Sequence, residues 1–173
     1  MTDYQQKIIV ETDRLFIQEA NLKDAPFFYE LLNSPNWLEY IGNRNIHSLQ
    51  EAETYIRDNL IKSYDQNGFG LYKVSLKEKN TPIGICGLLK RTYLDHPDIG
   101  FATLPAFERQ GLTFEAAKGV LHYAQNKLSH EKILAITTEH NQGSQALLQK
   151  VGLKSVDKIF LDREEKLFLL FST

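Results

Sequence analysis

The chain has 173 residues, 42% of them hydrophobic and 24% charged, with a formal net charge of -2. That length suits one well-packed core rather than two, and the charge provides no cationic face for nucleic acid or a membrane surface. The apolar runs are far shorter than a membrane span, no charged-then-apolar leader opens the chain, and the lone Cys86 excludes an internal disulfide, so one cytoplasmic domain is expected over 1–173, with its core from about residue 11.

The first strand is expected over 14–20, RLFIQEA, where Leu15 and Ile17 alternate with polar neighbours. KDAPFFYELLNS reads as a helix with Phe28, Leu31 and Leu32 on one face, ended by Asn33-Ser34-Pro35. A second helix opens at Ser48, which with Glu51 makes a capping box. Its residues Leu49, Ala52, Ile56, Leu60 and Ile61 follow helical spacing until Asn67-Gly68 stops it. The period then changes: GLYKVSLKE and PIGICGLLKR, turned at Lys79-Asn80, read as an antiparallel hairpin. Cys86, inside the second of these apolar runs, reads as a small buried hydrophobe.

A further strand runs from Asp98 to Leu104, and a long helix places Leu112, Ala116, Val120, Leu121, Ala124 and Leu128 on one face. KILAITTEH is a β-branched strand, GSQALLQKVG a short helix closed by Gly152, and LKSVDKIFL and KLFLLFS two strands around the turn DREE. The order β-α-α-β-β-β-α-β-α-β-β predicts a mixed sheet with helices, an α/β fold. The unit from Asp98 to His140 is expected to be parallel and right-handed, with ligands at the carboxyl ends of its strands.

The stretch FERQGLTFEA, residues 107–116, lies at that end. A helix start exposes unpaired N–H groups and partial positive charge, and glycine lets backbone approach a phosphate or take a positive φ. The amides of Arg109, Gln110, Gly111, Leu112, Thr113 and Phe114 can therefore wrap a pyrophosphate, with Arg109 as counter-charge; alternatively Gly111 is only a loop glycine at a helix entrance. Neither G-x-x-x-x-G-K-[ST] nor G-x-G-x-x-G occurs, and no His/Cys cluster has zinc spacing, so no metal is expected. His47, His96, His122, His130 and His140 are scattered and read as solvated. In TTEHNQGSQALLQKVGL, Asn141 and Ser144 stand at a helix mouth, where capping and facing a ligand groove are compatible.

Taken together, ETDRLFI, DIGFATLPAFERQGLTFEA and NQGSQALLQKVGL resemble the Gcn5-related N-acetyltransferase superfamily, in particular its RimJ/RimL-like branch, over nearly the whole chain. The resemblance implies a twisted, mostly antiparallel sheet with helices on both faces and a splayed central parallel pair. It also implies that acetyl-CoA is the cosubstrate. The family pattern [QR]-x-x-G-x-[GA] falls on residues 108–113, with Glu108 and Thr113 departing from it; Glu108 is expected to point outward. By the same resemblance Ala102, Thr103 and Leu104 pair with the pantetheine arm, Asn141 bonds the cofactor or its loop, and Ser144 lies near its sulfur. Leu148 occupies the position of the tyrosine that many relatives use, which brings Ser144 forward as the acid.

The reaction so implied is direct attack of a primary amine, on a protein N-terminus or a small molecule, on the acetyl thioester. Ser144 is assigned as acid and Glu139 as base through water, although Glu139 also reads as a plain surface carboxylate. The segment NSPNWLEYIGNRNIHS and the DREE turn are expected to set specificity; Trp37, Tyr40 and Ile41 line a groove there or form a core edge. No nucleic-acid or membrane partner is expected, and the chain is expected as a monomer or homodimer. Two other readings stay open: a non-catalytic acyl-CoA-binding module, and a partner-binding protein that keeps the fold as scaffold.

Overall fold

The computed structural model describes residues 6–173. One sheet runs through them in the order β1-β2-β3-β4-β5-β6-β8-β7. Its strands are β1 (Ile8–Glu11), β2 (Leu15–Gln18), β3 (Leu71–Leu76), β4 (Thr81–Leu89), β5 (Asp98–Thr103), β6 (Leu134–Thr138), β7 (Lys154–Leu161) and β8 (Lys166–Ser172). Every neighbouring pair is antiparallel except β5 and β6.

The expected β3–β4 hairpin forms, and Lys79 and Asn80 turn it with φ of 57° and 50°. β8 comes back between β6 and β7, so the last two strands are not laid down in chain order. β1 was not expected: four residues are too few for a period, and it forms by pairing with β2 at the sheet edge.

Helices cover both faces. On one, α5 (Leu112–Asn126) and α6 (Gln142–Lys150) pack Leu112, Ala116, Val120, Ala124 and Leu148 against Leu15, Ile17, Tyr72 and Cys86. On the other, α1 (Ala25–Leu32), α2 (Pro35–Tyr40), α3 (Leu49–Tyr55) and α4 (Lys62–Asn67) enclose a second core around Phe28, Leu31, Trp37, Ile56 and Leu60. Cys86 is fully buried, as expected, and burial pushes its thiol up.

Two features of this second layer depart from the expected elements. Residues 35–40, expected as loop, form α2, with Ser34 as N-cap residue and Pro35 at the start. The helix expected from Ser48 to Asn67 is interrupted by a π turn, Ile56–Ile61, after which Lys62 N–H donates to the Arg57 carbonyl five residues back. The Ser48 oxygen accepts from Glu51 N–H as expected, while the Glu51 carboxylate accepts from His47 N–H instead of Ser48.

The decisive feature is the β5–β6 pair. It is in register only at Asp98 and Leu134, with Leu134 N–H also bonded to the Pro97 carbonyl. Beyond that point the two strands separate, so the sheet is split toward their carboxyl ends.

Candidate active site

The split opens into a cleft of about 1400 Å³. One wall is β5 and the start of α5, represented by Ala102, Thr103, Arg109 and Thr113; the other is β6 and the start of α6, represented by Thr137, Thr138, Asn141 and Ser144. Trp37, Tyr40 and Ile41 line it from α2 and the residue after it. Beside this cleft the chain turns from β5 into α5 through Leu104, a short 3-10 turn (Pro105–Phe107) and the loop 108–111.

In that loop Arg109 has φ of 58°, and Gly111, the N-cap residue of α5, has φ of 75° and ψ of 6°. A Cβ on Gly111 would meet nothing nearer than an Arg14 Nη2 at 3.5 Å, so the glycine is required by its backbone angle and not by crowding. No side chain caps α5, and the N–H groups of its first turn stay available to an anion. A hydrogen bond of 2.7 Å between the Thr103 and Thr113 hydroxyls ties the end of β5 to that turn.

The remaining residues expected at the cofactor divide in two. Leu104 and Leu112 are buried in the two cores, and Phe114 lies under the Lys150 ammonium at 4.4 Å. Gln110 is exposed and donates to the Ala106 carbonyl at 3.1 Å. These side chains hold the loop, leaving their backbone amides as the groups that can meet a ligand. Glu108 departs from expectation: it does not point outward but lines the cleft, where its carboxylate accepts a hydrogen bond from Asn36 of α2.

On the opposite wall Asn141 Oδ1 accepts from Ser144 N–H at 3.1 Å, which caps α6 and sets Ser144, half-buried, against the cleft. Leu148, one turn on, is buried and leaves no tyrosine-like donor there. The structure does not bring Glu139 to this wall. Its carboxylate is exposed, bonded to Lys158 Nζ at 2.6 Å, and that bond holds its carboxyl below the ordinary range.

A family model described as "Acetyltransferase (GNAT) domain" matches residues 14–154. The chain belongs to the GNAT acetyltransferases. The uncharacterized N-acetyltransferase YjdG of Bacillus subtilis (strain 168) is 32% identical over 159 residues, covering 84% of this acetyltransferase and 89% of YjdG. YoaA of the same organism, also an uncharacterized N-acetyltransferase, is 26% identical, covering 84% and 82%.

Among solved structures, the fold matches RimL, the ribosomal L7/L12 alpha-N-protein acetyltransferase in complex with coenzyme A, with a TM-score of 0.83 over 96% of this chain and 97% of that one at 14% identity. It also matches the ribosomal-protein-S5-alanine acetyltransferase of Vibrio fischeri, with a TM-score of 0.77 over 94% of each chain at 13% identity. At such identities the likeness shows the fold. The protein is an N-acetyltransferase.

In this acetyltransferase the carboxylate that sequence reasoning missed is Asp98. It is 1% exposed at the closed end of the split, lines the cleft, and accepts from Arg91 Nε with both oxygens at 3.0 Å. Burial pushes its carboxyl up to about 6, against the pull of Arg91. An acidic residue opening an otherwise apolar strand, seven residues after an arginine, was the available signal. Among the described residues no group of three or more His, Cys, Asp or Glu could hold a metal, and no helix is long and apolar enough to cross a membrane.

Proposed function

We propose that the enzyme is an acetyl-CoA-dependent N-acetyltransferase that acetylates a primary amine, on a protein N-terminus or a small molecule, by direct attack. The observation that carries this reading is the sheet split beyond Asp98 and Leu134, opening beside the uncapped start of α5. Acetyl-CoA, when bound, supplies a thioester carbonyl activated toward the amine. The residues present fit it: the amides from Arg109 to Phe114 and the Arg109 side chain take the pyrophosphate. The free edge of β5 at Ala102–Leu104, which faces no strand, offers backbone groups to the pantetheine arm and the thioester oxygen.

Asn141 fixes Ser144 through the α6 cap, and the Ser144 hydroxyl gives its proton to the departing sulfur. The amine proton must go to a base with cleft access. Glu139 is the weaker choice because it does not line the cleft, so we assign the role to Asp98, which does, acting through water. Trp37, Tyr40 and Ile41 stand on the acceptor side. The structural neighbours that act on ribosomal proteins favour a protein N-terminus, and the lone buried Cys86 suits the cytoplasm.

Gly111→Asp tests the cradle, because Asp tolerates a left-handed backbone while its charge opposes a phosphate. Calorimetry should show acetyl-CoA binding abolished in Gly111→Asp and retained in Gly111→Asn. Unaltered binding in Gly111→Asp would refute the site. Thiol release from acetyl-CoA with a panel of amines and N-terminal peptides tests the chemistry. Binding without release would make the protein an acyl-CoA-binding module, and no thermal shift with CoA would leave the fold as a partner-binding scaffold.

A further inference from the structure

The opening motif ETDRLFI has no part in the reaction above, yet its arginine reaches the loop that does. Arg14, just before β2, lies 96 residues from Gln110 in sequence, and its Nη1 donates to the Gln110 carbonyl at 3.1 Å. Its Nε donates to Glu115 Oε2 at 2.6 Å, and its backbone N–H to Glu115 Oε1 at 2.9 Å. Thr12 Oγ1 completes the grip on Glu115 at 2.6 Å.

We propose that Arg14 is a positioning residue for the anion-binding loop: it aims the Gly111 amide and masks the Glu115 carboxylate. The inference rests on the reading of that loop as a pyrophosphate cradle. Two physical arguments carry it. The first is stereochemical. No described peptide is cis, and in a trans peptide the carbonyl and the following N–H point in opposite directions. Holding the Gln110 carbonyl on Arg14 therefore turns Gly111 N–H away from Arg14. With positive φ at Arg109 and Gly111 on either side of Gln110, which has none, φ alternates in sign along the loop as in a backbone nest, whose N–H groups converge on an anion. Rotation of this one peptide would point a carbonyl at the phosphate instead.

The second argument is electrostatic. Glu115 stands in the first turn of α5, where a carboxylate suits the helix dipole but repels a phosphate bound at the same end. The Arg14 guanidinium sits on that carboxylate. A lysine could pair with Glu115 but has no planar fork to hold the Gln110 carbonyl as well.

Four variants test the proposal by the Kd for CoA, by KM for acetyl-CoA against kcat, and by melting temperature. Arg14→Lys should melt near wild type yet bind CoA about tenfold more weakly, the scale of one charge-assisted hydrogen bond. The loss should appear in KM and not in kcat at saturating acetyl-CoA. Arg14→Met should lose about a hundredfold, with two such terms gone. Arg14→Met/Glu115→Gln should recover the electrostatic part and return to about tenfold.

Thr12→Val loosens Glu115 without touching Gln110, so it should melt lower and bind CoA as wild type. Wild-type affinity in Arg14→Lys and in the double variant would overturn the proposal. So would an equal affinity loss in Thr12→Val, since the clamp would then act through stability alone. Failure of the wild-type protein itself to bind CoA would instead refute the cradle.

Discussion

Ser144 and Asp98 face the same cleft under opposite constraints. Ser144 is fixed by its own backbone, through Asn141, and presents a neutral hydroxyl. Ser144→Ala should lower kcat by about 10²-fold while leaving acetyl-CoA affinity within twofold, as expected for lost proton transfer; equal loss in both would refute the acid role. Asp98 is governed by burial, which raises its carboxyl from the ordinary 3.8 to about 6. The folded chain therefore holds this proton more tightly than the unfolded one. The stability it adds, on the order of 3 kcal/mol, is present below pH 3.8 and lost as pH rises through about 6. Activity should run the other way, with kcat/KM rising through pH 6 as the base ionises. In Asp98→Asn that acid limb should disappear from the pH–rate profile; an unchanged limb would assign it to another group. Neither residue's role could be read from spacing alone. Ser144 came from the resemblance, and Asp98 is recognised only once Arg91 and the strand bury it.

At the scale of elements, α2 lies across the open end of the split. Asn36 donates to Glu108 on the loop after β5, and the Tyr40 ring lies 6.1 Å from the His140 ring on the turn after β6. The helix thus joins the two arms that the sheet leaves apart. Glu108, held there, keeps a negative charge near the proposed pyrophosphate. At a separation of about 6 Å in water this costs roughly 0.7 kcal/mol, about threefold in affinity. Glu108→Gln should tighten CoA binding by about that factor at low ionic strength, with the gain fading in high salt. No gain at low salt would place the charge too far away to matter.

The sequence concealed α2 because Ser34-Pro35, read as the end of α1, is also an N-cap followed by proline at the first position of a new helix. It concealed the π turn for a different reason. Ala52, Ile56 and Leu60 recur every four residues, which in an ordinary helix drifts by about 40° per step. The wider turn at Ile56–Ile61 offsets this drift and keeps the line facing the core. The long periodic pieces, β3–β4 and β5–α5–β6, were legible because each period spans enough residues to be unambiguous.

Across the whole molecule, the β3–β4 hairpin and the parallel β5–α5–β6 unit were legible, while β1 and the placing of β8 rather than β7 beside β6 were not. β8 is the more apolar and the more buried of the two, as its place inside the sheet requires. The split was visible only as an expectation from resemblance, since nothing in the period of β5 or β6 says where their pairing stops. Its energetic meaning can be measured. A ligand that binds only the folded chain stabilises it by about 2.7 kcal/mol at a hundredfold excess over Kd. Acetyl-CoA at that level should raise the melting temperature by several degrees. Amide exchange should slow on β5 and β6 together; protection confined to the α5 loop would mean that the ligand does not enter the split.

The single register point at Asp98 and Leu134 also has a cellular meaning. The two half-sheets share that one backbone pair, and a pantetheine arm laid along the free edge of β5 would bridge them beyond it. Proteases find a chain through its open population. Inside a cell, filling that edge with CoA, acetylated or not, should therefore protect the chain from proteolysis. Pulse proteolysis across a CoA titration would read this directly, and a cleavage rate indifferent to CoA would dismiss it.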